Sequence, residues 1–153
     1  MKLSAAQRSS RGFTLVELMV VVVIASILLM VAIPSYQSYV RQSRRTEAKT
    51  AVLDLAGREE RYFSTNGANY SAVATNMGYT AFGVPIGSGY YKLAVSVPAT
   101  TPNAPATPSY SITATPVAGQ SQVNDAQCTS FSVDSSGAQF STGTATAQYC
   151  WGN

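Results

Sequence analysis

Arg11 to Pro34 reads RGFTLVELMVVVVIASILLMVAIP, and this stretch decides how the rest of the chain must be arranged. From Phe13 to Ile33 it holds 21 residues with one charged side chain, Glu17. At about 1.5 Å of rise per residue this predicts roughly 31 Å of helix, close to the thickness of bilayer hydrocarbon. A carboxylate in such a segment costs on the order of 2.5–3.5 kcal/mol on insertion scales, so Glu17 calls for a reason. One reading is a membrane anchor that tolerates a polar residue near its end. The other is an anchor whose Glu17 finds its partner when chains assemble.

Of the 153 residues, about 120 follow the apolar run, enough for one modest domain with its own core. Charged residues make up 11% of the chain, and Ser, Thr, Ala and Gly abound. Such a surface suits packing against related chains, although compositional bias alone produces it too. Lys2, Arg8 and Arg11 precede Phe13; ten basic side chains less these three leave seven, equal to the seven acidic ones. After Thr65 the only charged side chains are Lys92, Asp125 and Asp134, which is no electrostatic footprint for nucleic acid.

There is no histidine, and the two cysteines are Cys128 and Cys150. Their spacing lacks the closeness of a metal or redox motif. Behind a membrane anchor a structural disulfide in an oxidising compartment is favoured over two buried thiols, and it is worth roughly 3 kcal/mol. With no phosphate-binding loop, no metal-spaced cluster and no serine paired with a base, the pattern points away from an enzyme and implies no cofactor.

Residues 1–12, MKLSAAQRSSRG, are basic and polar, and the apolar run starts directly after them. An ordinary secretory signal places its apolar core before the cleavage site; here the order is reversed, so cleavage after Gly12 leaves the anchor on the product. Basic residues flank the span on both sides (Arg41, Arg44, Arg45 and Lys49 follow it), so charge does not settle orientation. The cysteine pair favours a C-terminal part outside the cytoplasm.

Gly12-Phe13-Thr14-Leu15-Val16-Glu17-Leu18, with the apolar run behind it and then a proline, closely resembles the class III signal of type IV pilins and pseudopilins. The resemblance implies a leader peptide over 1–12, cut between Gly12 and Phe13 by a prepilin peptidase at the cytoplasmic face. It also implies N-methylation of Phe13, and pairing of Glu17 with the N-terminal ammonium of a neighbouring subunit. Two charges in a low-dielectric core are tolerable only together, which fits that pairing.

Pro34 predicts a kink or local unwinding near the end of the 13–33 half, since it removes one hydrogen bond and crowds the carbonyl of Met30. Helical periodicity then resumes. The alternative is that the helix ends at Pro34, but Val40, Ala48, Ala51, Val52, Leu55, Tyr62 and Phe63 share roughly one face, so it is expected to continue as an amphipathic half over 34–63, about 75 Å in all. Asp54 and Arg58 sit four apart in the favourable orientation. The basic cluster Arg41, Arg44, Arg45 and Lys49 reads as a solvated face just outside the membrane; the alternative is a contact stripe for DNA. Residues 64–89 read as a long loop with one short helical turn; its Tyr70, Tyr79 and Phe82 are either displayed at the surface or, the favoured reading, cover the junction between helix and sheet.

Strands are expected at Tyr90–Val97, Tyr110–Val117, Cys128–Asp134 and Ala138–Ser141, with an extended connection over Pro98–Pro108. The fold class is therefore α+β, a long N-terminal helix packed on an antiparallel sheet of about four strands, with 64–153 forming the globular domain; the resemblance at Gly12–Leu18 implies that this fold is type IV pilin-like. A second resemblance lies in Cys128-x-x-Phe131-x-Val133-Asp134-x-x-Gly137 ending in Cys150-Trp151, and in Gly57-Arg58-Glu59-Glu60-Arg61-Tyr62-Phe63 with Tyr70. Both are similar to PilE-type minor pilins. Asp134 as a calcium ligand is disfavoured, because only Asp125 could join it. Trp151 is expected to be a hydrophobic lid.

These resemblances imply a structural pilus subunit, most like a minor pilin acting in pilus assembly. Its partners would be the prepilin peptidase, other pilin subunits and an inner-membrane assembly platform. It would sit in the bacterial inner membrane with its C-terminus periplasmic, then in the extracellular pilus. The alternatives are a major pilin, a competence pilin for DNA uptake and a type II secretion pseudopilin. The scarcity of basic residues after Thr65 argues against nucleic acid as a partner.

Overall fold

The computed structural model describes residues 12–98 and 109–152. The expected leader, except Gly12, and most of the expected extended connection at Pro98–Pro108 lie outside the described residues. The order is α1 (Leu15–Thr65), β1 (Pro85–Ile86), β2 (Tyr91–Ser96), β3 (Ser111–Pro116), β4 (Ser130–Asp134), β5 (Gln139–Thr142) and α2 (Ala147–Trp151). Two compact units divide the chain, one ending at Tyr39 and the other starting at Val40.

In the first unit α1 begins at Leu15 and runs on through Pro34 as helix, as the resumed periodicity predicts. Proline has no N–H to give the carbonyl one turn back, so the ladder loses a bond there without the helix ending.

In the second unit the remainder of α1 lays Ala48, Val52 and Leu55 against the sheet, all three fully buried. Strand alternation supplies the opposing face. Leu93, Ala114 and Phe131 form one cross-strand row and are buried; Val95, Ile112 and Val133 form the next. Each fully buried aliphatic side chain contributes about 1.5–3 kcal/mol, so these rows and the α1 stripe dominate the stability of the unit. The outward face carries Ala94, Thr113 and Ser132, with a hydroxyl pair Thr113–Ser132 at 3.0 Å. Antiparallel strands with one solvated face read as apolar-in, polar-out, which is why the four longer strands were visible in the sequence.

The sheet has five strands in the order β1-β2-β3-β4-β5, all antiparallel, where about four were expected. The addition is β1, two residues long and paired as Pro85↔Lys92 and Ile86↔Tyr91. It is too short to show alternation, and α1 holds the turn that follows it. Glu47 Oε1 accepts from Ser88 N–H at 2.6 Å, and its other oxygen accepts from the Ser88 hydroxyl. A side chain on Gly87, whose φ is +47°, would run into that carboxylate.

The segment between α1 and β1 contains one 3-10 turn, Ala74–Met77, as expected. Tyr70 stacks on Phe63 and meets Tyr110 edge-on, with ring centroids 4.6 and 4.7 Å apart. Tyr79 and Phe82 pack against the core beside them, so the three aromatics cover the junction.

Candidate assembly and interaction sites

Gly12, Phe13 and Thr14 precede the first helical residue. Thr14 Oγ1 accepts from the backbone N–H of Glu17 at 3.2 Å, taking one of the donors that a helix start leaves unpaired. Thr14-Leu15-Val16-Glu17 thus has the spacing of a capping box. Thr14, directly before the first helical residue, is the local sequence signal for this cap. Phe13 is 80% exposed, and the large apolar side chains from Leu15 to Ile33 are exposed with it. Ser26, a polar residue inside the apolar run, donates to the Val22 carbonyl at 2.7 Å and so needs no outside partner. The segment is long and apolar enough to cross a membrane, and no part of its most apolar window is buried within the chain.

The basic cluster is not the solvated face expected. Arg45 is buried and grips Asp125 with two hydrogen bonds, Nε to Oδ2 at 2.6 Å and an Nη2 to Oδ1 contact at 2.7 Å. Gln122 donates to the same carboxylate at 3.0 Å, and Arg45 reaches Gln127 at 3.1 Å. Burial pushes the Asp125 carboxyl upward, but the Arg45 hydrogen bonds and charge outweigh it and hold the group below its ordinary range. Arg44 donates to Ser121 at 2.6 Å and lies 3.5 Å over the Tyr90 ring. Lys49 donates to the Trp151 carbonyl at 3.3 Å. Three of the four cations therefore dock α1 onto its own domain, and Arg41 is left exposed.

The physical reason is the phase of the helix. Arg45, Ala48, Val52, Leu55 and Glu59 recur at alternating steps of three and four and form the buried stripe, two charges included. Arg58 pairs with Asp54 at 2.8 Å as the spacing predicted, and it also donates to the Met77 carbonyl. Arg61 opens onto a cleft lined by Tyr62, Thr65, Asn66 and Asn76.

Cys128 and Cys150 form a disulfide with their Cα atoms 5.7 Å apart. It ties α2 to the start of β4. Trp151 Nε1–H donates to the Phe140 carbonyl at 2.9 Å and its ring meets Phe131 edge-on, so it closes the core as the expected lid. Asp134 accepts from Ser136 and Ala138 in the turn around Gly137. Those bonds lower its carboxyl, chiefly the one from the Ser136 hydroxyl, and give it a structural use. Among the described residues no group of three acidic, histidine or cysteine side chains could hold a metal ion.

Two family models match. Residues 7–33 fit the prokaryotic N-terminal methylation motif, and residues 34–132 fit the family described as type IV minor pilin ComP, DNA uptake sequence receptor. The chain is a type IV pilin with a ComP-type domain. Among its relatives are the type IV major pilin PilA of Myxococcus xanthus, 38% identical over 79 residues, and a fimbrial protein of Moraxella nonliquefaciens, 39% identical over 83 residues. The matched stretches take in 52% and 54% of this pilin, but only 36% and 51% of those relatives. The type IV major fimbrial protein FimA of Dichelobacter nodosus is 40% identical over 70 residues, or 39% of this pilin and 45% of that chain. The family is thus structural, and its named members include both major and minor subunits.

Proposed function

We propose that this pilin is a minor subunit of a type IV pilus that acts in pilus assembly. The exposed apolar half of α1, starting just after Gly12–Phe13, carries the reading. Such a surface demands cover, by lipid before assembly and by other helices afterwards. A prepilin peptidase cuts between Gly12 and Phe13, Phe13 becomes N-methylated, and Glu17 pairs with the ammonium of a neighbouring subunit. The chain waits in the inner membrane with its C-terminus periplasmic, engages the assembly platform and other pilins, and ends in the extracellular pilus; Pro34 supplies the bend the helix needs.

Glu17→Ala should leave insertion and cleavage intact and reduce piliation at native expression; normal piliation would remove the pairing role. Gly12→Ser should accumulate uncut precursor, and mature-sized protein in that variant would move the cleavage site elsewhere. Quantifying the chain in sheared pili separates a trace minor subunit from a dominant major one.

A second reading, capture of DNA, is favoured by the name of the family matched over 34–132. Charge counts against it, because Arg44, Arg45 and Lys49 are spent within the domain and Lys92 is the one cation after Thr65. A DNA shift titration at several salt concentrations decides it: a phosphate-contacting pilin shows affinity falling steeply with salt, and absence of a shift at low salt ends this reading.

A further inference from the structure

The buried stripe of α1 carries two charged residues, and among the described residues only one has an opposite charge beside it. Arg45 has Asp125. Glu59 is fully buried; its Oε2 accepts from Ser71 N–H at 3.1 Å, and its Oε1 has no hydrogen-bond partner among the described residues. The titratable groups that bear on it are Glu60 on α1, Tyr70 from the following segment and Tyr110 just before β3, and none of them is a cation. A lone carboxylate out of water is costly when charged, far less so when neutral.

The bond to Ser71 holds more than one residue. Ser71 Oγ accepts from Val73 N–H at 3.1 Å and from Asn76 Nδ2 at 2.8 Å, and Asn76 Nδ2 also donates to Tyr62 Oη at 3.2 Å. Glu59 thus stands at the root of a polar chain that ties the 3-10 turn Ala74–Met77 back to α1. That segment presents Val73 to solvent and buries Met77 in the core, so its attachment governs a piece of exposed surface.

We propose that Glu59 is a proton-operated latch for Ser71–Met77: with its carboxyl neutral the segment is held against α1, and ionisation loosens it. Burial raises the Glu59 carboxyl above its ordinary value of 4.5, and the Ser71 amide, which favours the charged form, only partly offsets this. The sign follows from a folded-state value above the unfolded one. Stabilisation is complete below the unfolded value, is lost as pH rises through the folded value, and stays lost above it. The latch belongs to the domain itself and does not rest on the filament role.

The test is amide hydrogen exchange on the full-length protein in detergent micelles over a pH series, corrected for the intrinsic exchange rate at each pH. Protection at Ser71, Val73 and Asn76 should fall with rising pH, by about tenfold for each pKa unit that burial adds to Glu59, while Leu55 stays level. The Glu59 carboxyl carbon should titrate in NMR over the same window. Glu59→Gln keeps a neutral side chain and should abolish the slope. Protection independent of pH in the unaltered protein would overturn the latch, as would an unchanged slope in E59Q or a carboxyl that titrates in the ordinary range.

Discussion

Arg45 shows what a single residue can reveal. Its guanidinium lies between α1 and the segment around Asp125, with both its pairing partner and Gln127 some eighty positions away in sequence. A buried pair of this kind adds little over a well-packed apolar substitute, but breaking it strands a charge. Arg45→Met alone should therefore cost about 3–5 kcal/mol, and the double variant Arg45→Met, Asp125→Leu markedly less. Denaturant unfolding of the two proteins measures the difference. The same pair sets a pH dependence opposite to that of Glu59. The Asp125 carboxyl is lowered from 3.8, so its contribution is complete above that value and is lost as pH falls through the lowered one. Acid unfolding of the parent should show this loss, and the double variant should lack it.

At the scale of elements, α2 is a single turn whose N-cap is Thr146 and whose end is Gly152. A helix so short has no stability of its own, and the disulfide with Trp151 holds it in place. Replacing Cys128 and Cys150 together by Ser should lower stability by about 2–5 kcal/mol, read as a fall in melting temperature, and should raise proteolysis near Ala147 first. The β1–β2 turn depends likewise on one contact from α1. Gly87→Ala adds a Cβ that meets the Glu47 carboxylate, at a positive φ that only glycine adopts freely. It should cost about 1–3 kcal/mol, and Glu47→Ala combined with it should relieve the clash but not the backbone strain. Differential scanning of the single and double variants separates the two contributions.

For the whole molecule, the division at Tyr39/Val40 separates two kinds of burial. Among the described residues, every buried residue of the core belongs to the second unit, while the apolar side chains of the first are exposed. A chain starting at Val40 should fold as a soluble monomer with its disulfide formed, whereas the full chain requires detergent or lipid. Size-exclusion chromatography and near-ultraviolet circular dichroism check both statements; a molten fragment would mean that the apolar half of α1 contributes to the fold.

Much of this was legible from residue order. The apolar run at Phe13–Ile33 follows from composition over a long window, and the helix past Pro34 and four of the strands follow from periodicity, which is local and repeats often enough to be read. The class III signal around Gly12–Glu17 is local as well. Other features depend on partners distant in the chain: Arg45 as a buried ion-pair member rather than a solvated cation, Glu59 turned inward, β1 built from two residues and α2 from five. For Arg45 and Glu59 the position on the helix could have been inferred from the steps of three and four, but whether a charge there is paired could not. Asp125 stands beside Arg45 and, among the described residues, no cation stands beside Glu59, and only the folded chain brings together the residues that decide it. The apolar half of α1 is the converse case: its amino acids alone require a partner surface, because burial of apolar area is set by composition and needs no register.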